Sequence, residues 1–199
     1  MYFCFVDDFA PIIKNVSRFI SLTEKEKEIF ISHLRVVKIR KKQYIVQPDF
    51  VCQYRSYILS GAFQTYLLDN DGQEHVIALT IEDWWSGDFE SYITQEPATL
   101  FVEAVEDATL IQLSYKGEQE LYEQVPKFER FFRRQIELGT LAIRKRVRWS
   151  LSYTAEERYD EFISLYPQFL QRFPQYVIAS YLGMTTQFLS KIRHQKAKS

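Results

Sequence analysis

Apolar residues recur at helical spacing near both ends of the chain and in short runs through its middle. Phe9, Ile12, Ile13, Val16, Phe19 and Ile20 share one face and predict a short helix over 9–20. Thr23 with Glu26 three residues on has the form of a capping box, and predicts a second helix running to about His33 or Leu34. From residue 35 to 113 the signal changes to short strands at 36–39, 43–46, 54–59, 62–68, 74–79, 99–104 and 109–113. Pro48-Asp49, Ser60-Gly61 and Asp69-Asn70-Asp71-Gly72 punctuate them as turns, the last as a hairpin. Many short strands with regular turns predict a barrel or sandwich, of jelly-roll type.

The helical period then returns. Residues 116–124 form a short helix, and Pro126 opens a long one that continues to about Leu151. Its apolar residues fall in two stripes. Phe128, Phe132, Ile136, Gly139, Ile143 and Val147 make one, and Phe131, Leu138, Ala142 and Trp149 the other. A helix apolar on two sides must bury both. One side packs on the barrel of its own chain, and the other most simply packs on a second copy, with Phe132, Ile136, Gly139 and Ile143 at the seam. Burial inside one larger domain is the alternative. A further helix spans 153–166 with Thr154 as its cap, and 169–173 links it to the last stretch.

That last stretch, Phe173 to His194, reads as two short helices joined by a tight turn. Pro174 suits a first turn. Val177, Ile178, Tyr181 and Leu182 give an apolar face, Gly183 stops the helix, and Thr185 caps the next. In the second helix Phe188, Leu189 and Ile192 are expected to face inward, leaving Thr186, Gln187, Ser190, Lys191 and Arg193 outward. Gln pairs bidentately with adenine, Lys reaches guanine, and Ser or Thr takes base or phosphate, so this is a DNA reader's set. A merely solvated basic face is the plain alternative.

Charge strengthens the first reading. The net charge of −1 hides 11 Lys+Arg against 20 Asp+Glu in residues 1–125, a net of −9, and 14 against 6 in residues 126–199, a net of +8. A basic C-terminal part that coincides with the helix pair points to a polyanion. Composition excludes other classes. At 199 residues, 46% apolar and 16% aromatic, the chain can bury a large core. It has no apolar run long enough for a membrane span, and its first five residues are too short for a signal peptide and precede Asp7 and Asp8, so a cytoplasmic protein is expected. Cys4 and Cys52 are too few for a disulfide framework and read as buried or incidental thiols. His33, His75 and His194 lie in separate elements, so neither metal nor cofactor is expected.

The element order resembles the Crp/Fnr family of bacterial transcription regulators. The likeness is strongest at Ile178-Ala179-x-x-Leu182-Gly183-Met184-Thr185 with Leu189-Ser190-Lys191-Ile192-Arg193, and good at Ser60-Gly61. Thr154-Ala155-Glu156-Glu157-Arg158-Tyr159 looks like the short, degenerate branch common in Bacteroidetes. The resemblance implies an α+β protein in three parts. A double-stranded β-helix (jelly-roll) sensor would occupy 1–125, a dimerisation helix 126–151, and a helix-turn-helix 152–199. It also implies Thr185 at a phosphate-contacting cap, with Thr186, Gln187 and Lys191 at base-reading positions and Ser190 and Arg193 beside them. Double-stranded DNA, a second copy, an unidentified small-molecule effector and RNA polymerase would be the partners. The β-wing that often follows the reading helix has no counterpart here.

In the family's cyclic-nucleotide binders a Gly-Glu pair precedes, by ten residues, an Arg that holds the cyclic phosphate. Gly87-Asp88 falls on the pair, and Ala98 on the Arg. Between Arg55 and Lys116 stand eleven Asp or Glu and no Lys or Arg, a segment expected to repel an anion. A pocket for another ligand is read around Gly61, Trp84, Trp85, Gly87, Asp88, Phe89, Ala98 and Thr99, with Tyr92 nearby. Core packing of these aromatics is the alternative. The leading reading is a dimeric, non-enzymatic DNA-binding regulator that does not bind cyclic AMP. A ligand-binding or interaction module whose helix-turn-helix reads nothing is the second. A cupin-like metalloenzyme needs converging histidines, and the barrel segment offers only Glu74-His75.

Overall fold

The computed structural model describes residues 6–196; Cys4 and Lys198 lie outside them. Helices α1 (Val6–Ser17) and α2 (Glu24–Ser32) open the chain. The capping box before α2 is formed: Thr23 Oγ1 accepts the Glu26 N–H, and Glu26 Oε2 accepts the Thr23 N–H at 2.7 Å.

Eight strands follow: β1 (Leu34–Ile39), β2 (Tyr44–Val46), β3 (Tyr54–Ser60), β4 (Phe63–Leu68), β5 (Glu74–Thr80), β6 (Trp85–Ser86), β7 (Phe101–Ala104) and β8 (Ala108–Ser114). They build two four-stranded antiparallel sheets, in the orders β1-β8-β3-β6 and β2-β7-β4-β5. The alternation of side chains along each strand sorts the cores. On β8, Ala108 and Leu110 point into the lumen with Ile58, Phe63, Val102 and Ala104, while Ile111 and Leu113 point out to the helices. At the β3–β4 turn Gly61 holds φ +107, and a Cβ there would lie 2.4 Å from Ala108 Cβ. Only glycine fits that approach.

Strand β6 and the short helix α3 (Phe89–Thr94) have no counterpart in the sequence reading. A two-residue strand carries no period, and Asp88 caps α3 through the Ser91 N–H, a local bond that turn-like sequences share. Helices α4 (Tyr115–Gln124) and α5 (Lys127–Ser152) then cover the outer face of the first sheet together with α1 and α2. The outer face of the second sheet is covered by α6 (Ala155–Leu165), α7 (Phe169–Arg172), α8 (Gln175–Leu182) and α9 (Thr186–Lys196). One core joins Ala62, Tyr66, Val76 and Leu79 of the barrel to Phe162, Phe169, Ile178 and Leu189 of these helices.

Candidate nucleic-acid interface

The α8–α9 pair is built as its residues dictate. Val177, Ile178, Ala179 and Leu182 are buried, and Pro174 lies immediately before the first turn. Gly183 takes the left-handed conformation at φ +67, and the Met184 N–H reaches back to the Ala179 carbonyl at 3.0 Å, closing the helix end. Thr185 Oγ1 accepts the Phe188 N–H at 3.2 Å, which caps α9. Leu189 and Ile192 seat α9 on the core.

Thr186, Gln187, Ser190, Lys191 and Arg193 are exposed, together with His194. At about 100° per residue, Gln187, Ser190, Lys191 and His194 centre the face opposite Leu189 and Ile192, with Thr186 and Arg193 toward one flank. Among the described residues Thr186, Gln187, Ser190 and Lys191 have no side-chain partner in the chain, so their donors are free. Phe188 corrects the sequence reading: it is 39% exposed on the other flank, because two buried residues suffice to seat this short helix. Lys196 is also less free than its sequence position suggests, since it pairs with Asp160 at 2.8 Å.

Four further side chains place this unit. Arg158 donates to the Leu182 carbonyl at 3.1 Å and to the Tyr153 carbonyl at 2.9 Å, tying the end of α8 to the start of α6. Ser180 bonds the open edge of β5, accepting the Val76 N–H and donating to the Glu74 carbonyl. Arg146 of α5 donates to the Val76 and Ile77 carbonyls and lies over the Tyr181 ring. Arg172 bridges Glu82 and Glu106 on the barrel. Burial pushes the Glu82 carboxyl up, but its bonds to Arg172 and to the Gly61 N–H outweigh this and hold it below the ordinary range. Arg158 lies within the 154–159 motif, but has no structural role in the sequence reading. Ser180, Arg146 and Arg172 carry no local signal, since their partners are far away in the chain.

The pocket residues do not line one cavity. Adjacent in sequence, Trp84 and Trp85 turn to two different helical layers outside the barrel. Trp84 packs on Tyr166 and Phe169, and Trp85 on Tyr57, Phe131 and Phe132, with its Nε1 bonded to Asn15. Thr99 and Phe89 are exposed, Asp88 is held by its cap, and Gly61 sits in the distant β3–β4 turn. Gly87 packs beside Tyr54 and Cys52. Ala98 is buried in the core cluster that also holds Cys52, Phe63 and Tyr92. Cys52 is buried, and burial pushes its thiol up. The acidic segment is also less bare than it reads: Arg18, Lys42 and Arg172 reach Asp83, Glu103 and Glu82 from outside it. A surface cleft of about 470 Å³ lies elsewhere, between α1 and α5, beside Arg18, Lys127 and Arg130. Among the described residues no three His, Cys, Asp or Glu are grouped to hold a metal, and no helix is long and apolar enough to cross a membrane.

On α5 the two stripes are divided by position along the helix. Phe128, Phe131, Phe132 and Trp149 are buried against their own chain, so Phe132 is a core residue and not part of an open seam. Ile136, Ile143 and Val147 stay exposed, Ile143 by 67%, on one face with Gly139, where nothing lies within 4 Å of an added Cβ.

Comparison with solved structures agrees with this architecture. Superposition on CLP, described as the c-di-GMP-responsive global regulator linking cell-cell signalling to virulence gene expression in Xanthomonas campestris, gives a TM-score of 0.66 at 14% identity, over 88% of this chain and 93% of that one. A CooA mutant from Carboxydothermus hydrogenoformans gives 0.66 at 17% identity, over 94% and 84%. FixK2 from Bradyrhizobium japonicum gives 0.64 at 19%, over 83% and 85%. The fold is that of the Crp/Fnr regulators. No family model matches the sequence, and no curated protein does. At such identities the backbone plan is shared while the residues in the barrel and on the exposed face of α9 are this chain's own.

Proposed function

We propose that this protein is a dimeric DNA-binding transcription regulator, with a barrel at 1–125, a dimerisation helix at 126–151 and a reading unit at 152–199. The observation that carries this reading is α9, whose Gln187, Ser190 and Lys191 are unengaged polar groups on a helix seated by Leu189 and Ile192 and capped by Thr185. That arrangement suits the major groove. The exposed Ile136, Ile143 and Val147 face supports pairing with a second copy, which would set two α9 helices about one helical turn of DNA apart. Selection of bound sites from random duplex DNA tests the reading. A roughly palindromic consensus with salt-dependent affinity is expected, and binding without sequence preference would leave an interaction module instead.

Cyclic AMP and cyclic GMP are not the effectors in this reading. Ala98 stands where the resemblance puts the phosphate-holding Arg, and it is buried in the barrel's own core. Calorimetric titration is expected to give no heat from either nucleotide. Micromolar binding would overturn the point.

A further inference from the structure

Arg55 on β3 and Glu118 on α4 are 5% and 3% exposed. Arg55 donates to the carboxylate through both Nε and Nη2. Tyr92 of α3 adds a hydrogen bond at 2.9 Å and Tyr122 of α4 another at 2.6 Å, so one carboxylate accepts four. The guanidinium is walled by Phe89 and Tyr92 of α3, at 5.5 and 4.7 Å, and by Phe132 of α5 at 4.8 Å. Apolar side chains of like volume often hold a fold as well as a buried pair does, so stability is a weak account of this cluster. Its distinctive property is geometric. It joins β3, α3, α4 and α5 at one charged point, and an aromatic-walled guanidinium with two phenol donors is the donor set of a carboxylate site.

We propose that this is an anion-binding site with a built-in occupant: Glu118 stands where a diffusible carboxylate would bind, and its occupancy fixes α3 and the first turns of α5. Phe132 lies one turn before Ile136, so a shift of α5 at the cluster passes directly to the exposed apolar face. The barrel then needs no small anion to hold α5 in place. The DNA part of the test below rests on the regulator reading; the hydrogen-exchange part does not.

The test uses the full chain with Glu118→Ala, which leaves Arg55, Tyr92 and Tyr122 facing a vacated site. Backbone hydrogen exchange in 89–94 and 128–136 should quicken by about tenfold or more, the scale of losing hydrogen bonds to a charged group. Acetate or formate on the order of tens of millimolar should reverse this by mass action, and chloride at equal ionic strength should not. Neither anion should affect the unmodified protein. Arg55→Met/Glu118→Leu should show no acetate response. Affinity for a selected duplex should fall in Glu118→Ala and recover with acetate. Equal responses to acetate and chloride, or unchanged exchange, would overturn the proposal. So would recovery of exchange with no change in DNA affinity at any stage. If Glu118→Ala folds only when acetate is present, that supports it. If it folds under neither condition, Glu118→Gln decides: it keeps the shape without the charge, and exchange in both segments must still quicken. Failure of the unmodified protein to bind any duplex would sink the regulator reading and leave the exchange result standing.

Discussion

Ser180 Oγ accepts the Val76 N–H at 2.9 Å, so a side chain of α8 occupies the hydrogen-bonding edge of β5. An open strand edge is a pairing hazard, and here a helix covers it. Replacing Ser180 with Ala leaves the Val76 N–H and the Glu74 carbonyl without that partner. The expected cost is about 1–3 kcal/mol, read by chemical denaturation, with the hydrogen exchange of β5 rising first.

The Arg172 bridge makes stability depend on acid. Glu82 has a folded value below its ordinary 4.5, so its contribution is complete above about that pH and is lost as pH falls through the lower folded value. Glu26 behaves likewise, held at about 2 by Lys127 and by the Thr23 N–H. Stability measured from pH 6 down to 2 should fall along this limb. Arg172→Met should flatten the Glu82 part of it, and an unchanged limb would show that the bridge adds nothing.

Ile136 and Phe132 should respond differently to the same charge. Ile136→Asp or Ile143→Asp should give a folded monomer by light scattering, because these side chains are exposed within one chain. Phe132→Asp should fail to fold, and Phe132→Ala should lose about 3–5 kcal/mol. A monomeric unmodified protein at tens of micromolar would remove the seam altogether.

On α9, Gln187→Ala and Lys191→Ala should each cost about 1–3 kcal/mol on a selected site and much less on a scrambled one. Arg193→Ala and Lys198→Ala should weaken both duplexes alike and flatten the salt dependence. Lys196→Ala should do the same while also freeing Asp160. Phe188→Ala should weaken binding where the site carries a thymine methyl, and replacing that thymine with deoxyuridine should abolish the difference.

Gly61→Ala should destabilise the barrel by more than about 1 kcal/mol, because the residue must hold φ +107 and its Cβ would meet Ala108. Thermal unfolding reads this directly. An unchanged midpoint would mean that the turn can open.

Local chemistry alone determined much of this protein. The boxes at Thr23–Glu26 and Thr154–Glu157, the Gly183 stop and the Thr185 cap all act within a few residues, where backbone hydrogen bonding decides the outcome. The outward placing of Gln187, Ser190 and Lys191 follows from the helical period. Tertiary structure decided what depends on partners distant in sequence. Trp84 and Trp85 divide between two cores because two shells of helices flank one sheet edge, and no window around them reveals those shells. Phe132 and Ile136 share one stripe, yet one is buried and the other exposed, because the rings of Trp85 and Tyr122 pack on the first while the second lies outside that core. Arg55 and Glu118, 63 residues apart, carry no local sign of their pairing, and only the fold buries both in one cluster. Burial is a property of what packs on a residue, and for these residues the packing comes from elsewhere in the chain.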